Sequence, residues 1–432
     1  MRIGMVSATY DPTVINGVVR MVTLYKRHLE ARGHEVTIFT LGEEQADDAG
    51  ARIVRSPGMR LGEHGYFIGL GYSQEAQRLL QTMEIVHCHH LLMSVEMAHR
   101  YAQCPIVYTN HTRYDLYTGA YTPLPQPAAD AIMRQLWPEF AGLADTVIAP
   151  SASVRQLLLD FGVSNPIVVI ENGIERESFL RPLRPRAKAD FGVPDDAFLL
   201  LYTGRLAEEK NLAGLLAQFA LAAGVMPALR LAIAGKGPQE EELRRLVVER
   251  QLDERVHFVG VVPFDEVGDW LAAADAFVTA STSEVHPLTV IEAMAAGKPI
   301  IAVQSPGISD SVESGVTGLI VPDVEGLSAA IAALAANPAW ARAMGEAARA
   351  ASARFDIARM IDLTVALYDS LLAERPDLQR EDAHGRWSRR TEKWSAMLDQ
   401  LTQLVRPSDD AGGDPPRWWP ANALTARRER HD

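Results

Sequence analysis

The chain has 432 residues, 47% apolar and 22% charged, with a formal net charge of −13 at pH 7. That length exceeds one ordinary core and suits two α/β domains with additions. The acidic balance argues against nucleic acid as a partner, because such binders present a basic face. No apolar run reaches the length of a membrane span, and Met1-Arg2 leads directly into a strand-like run with no signal peptide. Two cysteines, Cys88 and Cys104, do not make a disulfide framework, so a reducing cytoplasm is the expected compartment.

Residues Arg2–Thr9 are β-prone, and Asp11-Pro12 and Asn16-Gly17 mark a loop. A helical pattern runs to Arg32, Gly33 stands where a helix-ending glycine belongs, and His34–Thr40 alternates as a strand. Further strands are expected at Glu84–Cys88, Pro105–Asn110, Asp145–Ala149 and Pro166–Glu171, with helical patterns between most of them. Asn172-Gly173 closes a first domain, 1–174, and the Pro- and Arg-rich stretch 175–194 reads as a linker. Alternation restarts with strands at Phe198–Thr203, Leu229–Ala234, Val256–Val259, Ala276–Thr279 and Pro299–Val303. Helical patterns at Gly326–Ala336, Ala339–Ala351 and Ile357–Glu374 complete a second domain, 195–375. An amphipathic helix near Arg386–Val405 follows within 376–405, and 406–432 has the composition of a disordered tail. Strand–helix alternation implies parallel sheets covered on both faces, so the expected class is α/β: two Rossmann-like, doubly wound domains. Their ligands bind beyond the carboxyl ends of the strands, and two such domains facing each other share one cleft.

Arg205 and Lys210 stand between the strand Phe198–Thr203 and its helix. Two cations beside a helix N-terminus form a diphosphate site; the other reading is a pair of solvated charges answering Glu208 and Glu209. Glu284 lies on the loop after Ala276–Thr279, and Glu292 sits in the next helix between Ile291 and Ala293-Met294. A carboxylate among apolar neighbours suits ribose hydroxyls, while Glu284 suits sugar hydroxyls; the plainer reading is a helix-start acid favoured by the dipole. Gly235-Lys-Gly237 is a tight turn near the nucleotide or simply a turn, since two glycines without the third are a weak dinucleotide signal.

In the first domain, Gly17 lets backbone N–H groups approach a phosphate, with a plain turn as the alternative. His111 follows a strand end and could donate to a sugar hydroxyl or phosphate, with Tyr114, Tyr117 and Tyr121 as hydrogen-bonding apolar surface. Those aromatics could equally pack on their own domain. His87-Cys88-His89-His90 raises zinc, but a third ligand is not evident, so no metal is expected.

Gly204-Arg205-Leu206…Glu209-Lys210-Asn211, the Glu284…Glu292 pair with seven residues between, and Ala293-Met-Ala-Ala-Gly-Lys-Pro299 resemble glycosyltransferase family 4. Asn172-Gly-Ile174 and Gly33-His-Glu-Val36 resemble its other recurring stretches, and the likeness covers roughly residues 1–375. The resemblance implies a GT-B fold and retaining transfer of a hexose from a nucleotide-diphosphate sugar, without a bound metal or other cofactor. It places Arg205, Lys210, Gly17 and the amides of Leu288 and Thr289 at the diphosphate. Glu292 would meet the ribose, Glu284 the sugar hydroxyls, and His111 the transferred sugar. Many members carry glycines where this chain has Val285, His286 and Pro287, which alters the loop at the donor sugar. The His111–Tyr117 stretch, Thr289–Glu292 and Ser305–Asp310 most resemble the branch that glucosylates diacylglycerol. A UDP-sugar is the favoured donor over GDP-mannose, and a membrane lipid is one expected hydroxyl acceptor.

The rival readings are a GT-B nucleotide-sugar epimerase and a noncatalytic nucleotide-sugar-binding protein. Trp387, Trp394, Leu398, Leu401 and Val405 share one stripe of the Arg386–Val405 helix, flanked by Arg386, Arg389 and Lys393. Such a helix suits peripheral attachment to an anionic membrane surface, or packs as an ordinary C-terminal helix on the first domain.

Overall fold

A computed structural model describes residues 1–11, 16–61, 66–69, 71–116 and 126–374. Tyr117, Tyr121, the Arg386–Val405 helix and the 406–432 tail lie outside those residues. Strands form where short aliphatic and β-branched runs are buried on both faces, as a parallel sheet requires. In the first half these are β1 (Arg2–Val6), β2 (Glu35–Leu41), β3 (Ile53–Ser56), the hairpin β4 (Met59–Leu61) and β5 (Tyr66–Ile68), β6 (Ile85–Cys88), β7 (Ile106–Thr109), β8 (Thr146–Ala149) and β9 (Ile167–Val169). All but the hairpin join one parallel sheet in the order β3-β2-β1-β6-β7-β8-β9. The second half has β10 (Phe198–Thr203), β11 (Leu229–Ala234), β12 (Val256–Gly260), β13 (Ala276–Thr279), β14 (Ile300–Val303) and β15 (Gly318–Val321), ordered β12-β11-β10-β13-β14-β15. Two doubly wound Rossmann-like sheets are therefore present, as the alternation implied. Their order reverses between β1 and β6 and between β10 and β13, where such folds place ligands.

The strands β3, β4, β5 and β15 are additions to the sequence reading, and three details of boundaries and packing differ from it. The first strand stops at Val6, because the Ser7 hydroxyl bonds the Thr9 carbonyl at 2.6 Å and turns the chain. The stretch 175–194 contains a helix, Glu177–Leu180, and a turn at Lys188–Phe191, with Phe179 and Phe191 buried. Finally, the helix Ile357–Glu374, grouped with the second half by position, packs on the first. Its stripe of Ile357, Met360, Ile361, Thr364, Tyr368 and Leu371 is buried. Tyr368 reaches His87 Nδ1 at 2.7 Å, and Arg32 pairs with Asp362 at 2.7 Å.

The chain thus crosses between halves twice, at 172–175 and 355–357. The two crossings touch: Ile174 pairs with Asp356, and a Cβ on Gly173 would stand 2.7 Å from Ile357 Cα. Further contacts tie the halves together. Asp310 accepts from the Ser153 N–H at 2.8 Å, and the Asn172 amide donates to the His286 carbonyl at 2.9 Å.

Candidate active site

The second-half site grows from the end of β10. Gly204 has φ +151°, which turns the chain sharply out of the sheet. Its turn lies directly against the next one: a Cβ on Gly235 would be 1.8 Å from the Gly204 carbonyl oxygen. The Gly235 N–H is already given to the Gly260 carbonyl at 2.7 Å. Gly235, expected at the nucleotide, therefore serves the contact between two turns, and its amide is not turned to a phosphate.

Lys210 closes a turn at Glu208–Lys210, and Asn211 in left-handed conformation (φ 48°) starts the helix Leu212–Val225. Lys210 Nζ meets Glu284 Oε1, from the loop after β13, at 2.6 Å. Burial alone would lower the Lys210 ammonium and raise the Glu284 carboxyl. Their mutual charge and hydrogen bond outweigh burial in both, so Lys210 is raised, Glu284 is lowered and the pair stays ionised. Arg205 Nη2 lies 3.8 Å from Glu209 Oε1, beside this pair in the chain. The residues named from the sequence as diphosphate cations and sugar acid are thus gathered at the switch point of the second sheet.

The helix Leu288–Ala295 begins at Pro287 with no side-chain cap, so its first amides, Leu288 and Thr289, present a partial positive charge. The Val285-His286-Pro287 loop gains support from outside itself. Gly307 donates to the Glu284 carbonyl at 3.2 Å and approaches so closely that a Cβ there would stand 2.2 Å from the Val285 carbonyl. Glu292, four residues into the helix, is almost fully buried and ion-paired with Arg20. Burial raises its carboxyl, and Arg20 acts against that.

On the first half, Asn16 caps the helix Gly17–Glu30 by accepting from Val18 and Val19 N–H groups at 2.8 and 3.3 Å. Gly17 is exposed, and a Cβ there would meet nothing within 4 Å, so packing does not demand glycine. The ends of β6 and β7 then assemble a histidine cluster. His89 Nδ1 lies 3.0 Å from His111 Nε2, and their rings stack 5.3 Å apart. His87 lies 4.2 Å from the His89 ring and is held by Thr109 Oγ1 at 2.6 Å as well as by Tyr368. Burial lowers His111 to about 3, with His87 and His90 adding in the same direction, so His111 is a neutral imidazole. Among the described residues no group of three or more His, Cys, Asp or Glu side chains could hold a metal ion.

Tyr114 packs edge-on against Trp137, ring centres 6.0 Å apart, and its hydroxyl accepts from the Leu91 N–H at 3.1 Å. This is the packing alternative for the aromatics, and it leaves Tyr114 engaged within its own domain. Two residues of the site went unread in the sequence. Arg20 carries no motif, and its place in the first turn after Gly17 is the one signal the sequence offers. His89 was seen only as part of a strand-end histidine run, because its contact with His111 requires β6 and β7 to be neighbours.

Two doubly wound Rossmann-like sheets, joined by a double crossing of the chain and carrying these polar groups at their carboxyl edges, make the GT-B fold. The family described as "Glycosyl transferases group 1" matches residues 184–351, and "Glycosyltransferase Family 4" matches 15–178. Alpha-monoglucosyldiacylglycerol synthase of Streptococcus pneumoniae is 30% identical over 357 residues, 78% of this chain and 79% of that protein. The Acholeplasma laidlawii protein of the same name is 27% identical, over 78% and 89% of the two chains. Among solved structures, sucrose-phosphate synthase of Thermosynechococcus elongatus superposes with a TM-score of 0.70 at 24% identity, covering 87% of this chain and all of that one. Anabaena HepE in complex with UDP and glucose gives 0.68 at 18% identity, covering 86% of this chain and all of that one. The chain belongs to glycosyltransferase family 4, and its reaction is sugar transfer from a nucleotide-sugar donor.

Proposed function

We propose that the protein transfers a hexose from a UDP-sugar to a hydroxyl of a diacylglycerol-type lipid, with retention and without a bound metal. The observation that carries the transfer reading is the Lys210–Glu284 pair beside Arg205 at the β10/β13 switch point. Breaking the anomeric C–O bond leaves negative charge on the diphosphate. Arg205, Lys210 and the amides at Leu288 and Thr289 stabilise it, in the place a divalent ion takes elsewhere. The acceptor oxygen bonds the anomeric carbon from the face the diphosphate leaves, and the departing phosphate oxygen takes the acceptor's proton. His111, neutral, hydrogen-bonds the transferred sugar, and Glu292 holds the ribose. Similarity to the two monoglucosyldiacylglycerol synthases supports the lipid acceptor, and HepE with UDP supports the uracil base.

We assign 1–174 to the acceptor side and 195–375 to the donor side, with its last helix, Ile357–Glu374, returning to pack on the first half. Attachment of a peripheral enzyme to the cytoplasmic membrane face we assign to the Trp- and Arg-bearing stretch 386–405. Among the described residues no helix is long and apolar enough to cross a membrane. The test is transfer from UDP-, GDP- and ADP-glucose to diacylglycerol in phosphatidylglycerol-containing vesicles, with and without chelator, reading the product's anomeric configuration by NMR. An α-linked product from the UDP-sugar in chelator supports the proposal. A β-linked product, strict metal requirement or donor interconversion without acceptor overturns it. A chain ended at Gly385 that still floats with the vesicles removes the membrane role of 386–405.

A further inference from the structure

Glu292 belongs to the second half, yet the group against it comes from the first. Arg20 projects from the first turn of the helix Gly17–Glu30, and its Nη1 contacts Glu292 Oε1. The guanidinium carbon also lies 4.6 Å from the centre of the Phe264 ring, again in the second half. One side chain therefore inserts between a carboxylate and an aromatic face of the opposite domain, with the Glu292 side chain 1% exposed.

The other charged groups on elements packed around Glu292's helix are turned elsewhere. Arg349 bonds the Ala296 carbonyl, and Arg354 bonds the Asp310 carbonyl and lies 3.6 Å from Glu171. Asp269 accepts from the Arg184 N–H, Asp310 from Ser153, and Glu177 pairs with Arg181. Arg342 and Glu346 are exposed on the helix Pro338–Ala351. Arg20 is thus the charge that acts on Glu292.

We infer that Arg20 is a positioning residue of the donor site, supplied across the domain boundary, which orients the Glu292 carboxylate for the ribose hydroxyls. The inference rests on the reading of Glu292 as the ribose carboxylate. A carboxylate offers about four lone-pair positions, so a guanidinium on Oε1 leaves room for hydroxyl donors. Coupling follows from the geometry: the ribose carboxylate is fully prepared only while the first half is docked against the second.

The test compares the parent with Arg20→Met, Arg20→Lys and Glu292→Gln. UDP affinity is measured by calorimetry, with donor KM and kcat from pH 5.5 to 9. Arg20→Met should raise donor KM and the UDP dissociation constant roughly tenfold or more near neutral pH, as loss of a charge-assisted contact implies. At saturating donor, kcat should change less. Without Arg20 the Glu292 carboxyl rises further, and the needed carboxylate is lost as pH falls through that higher value. The Arg20→Met defect should therefore deepen in acid and recover in alkali, and Arg20→Lys should restore much of it. Unchanged donor KM in Arg20→Met, or tighter UDP binding, overturns the inference; so does a pH-independent loss that lysine does not rescue. If Arg20→Met melts early, the Arg20→Lys pH profile decides by the same criteria. Weakened UDP binding in Glu292→Gln but not in Arg20→Met defeats the inference alone. No weakening in either defeats the ribose assignment itself.

Discussion

The two sheets reverse their strand order in the same way, yet the chemistry at their carboxyl edges is opposite. The second edge carries an ionised, mutually stabilised pair, Lys210 and Glu284, with Arg205 nearby. The first carries buried, neutral imidazoles: His87 and His111 lie near 3 and His90 near 4, each lowered chiefly by burial. Developing phosphate charge needs fixed opposite charge, whereas a neutral imidazole offers one donor and one acceptor without adding charge. The same fold supplies both because the loops, not the sheets, carry the site.

The largest test of that contrast lies on the charged edge. Arg205→Ala and Lys210→Ala should each lower turnover about a hundredfold or more, as loss of a charge-stabilising donor does. Lys210→Ala should also destabilise the fold, because Glu284 is left as an unpaired, largely buried charge. Lys210→Met combined with Glu284→Gln should regain stability but not activity. Thermal melts alongside kinetics separate the two effects. Near-parental turnover in either single variant removes that residue from the diphosphate site.

A second test concerns the turns beneath the charges. Gly235→Ala forces a methyl onto the Gly204 carbonyl at a backbone φ of +143°. We expect a loss of about 3 kcal/mol or more in denaturant unfolding, through strain at a special φ and a backbone clash. Retained stability with lost UDP binding would return Gly235 to the nucleotide.

The neutral edge should reveal itself in acid. A histidine lowered in the folded state binds its proton more readily when unfolded, so its contribution is intact above the ordinary value near 6.5. Stability is then lost as pH falls from about 6.5 toward the folded value, by about 1.4 kcal/mol per pH unit for each such group. His87, His90, His111 and His286, the last also lowered to about 3 by burial, share this window. Urea unfolding at pH 7.5 and 5.5 measures it. His87→Phe should flatten the dependence by one group's share, and an unchanged slope would mean that folding does not shift the titration of His87.

What the sequence made legible follows the same division. Phe198–Thr203, Leu229–Ala234 and Ala276–Thr279 stand as strands with the bounds read from the chain, because apolar runs end there in glycine or polar residues. The β3 strand escaped notice because Arg55 interrupts it, buried against Asp48 at 2.7 Å. Arg205, Lys210, Glu284 and Glu292 lie in contiguous stretches whose spacing carries the resemblance to the family. Arg20 against Glu292, His89 against His111 and the return of Ile357–Glu374 to the first half are contacts between distant segments, and no local periodicity encodes them.

Gly17→Ala offers the smallest and most discriminating effect. Gly17 opens its helix with ordinary backbone dihedrals, and an added methyl meets no atom of the protein within 4 Å. Alanine in a helix is favoured over glycine by about 0.5–1 kcal/mol, so the melting temperature should hold or rise slightly. Turnover should nevertheless fall severalfold if the proposed site is right, because the methyl would then stand where the donor's diphosphate approaches the first half. Gly235→Ala and Gly17→Ala would then be opposites: one glycine kept for the chain's own packing, the other for a ligand. If Gly17→Ala keeps full activity, the first half does not approach the donor's diphosphate at that glycine. If instead it melts early, the glycine is structural and the loop loses its place in the site.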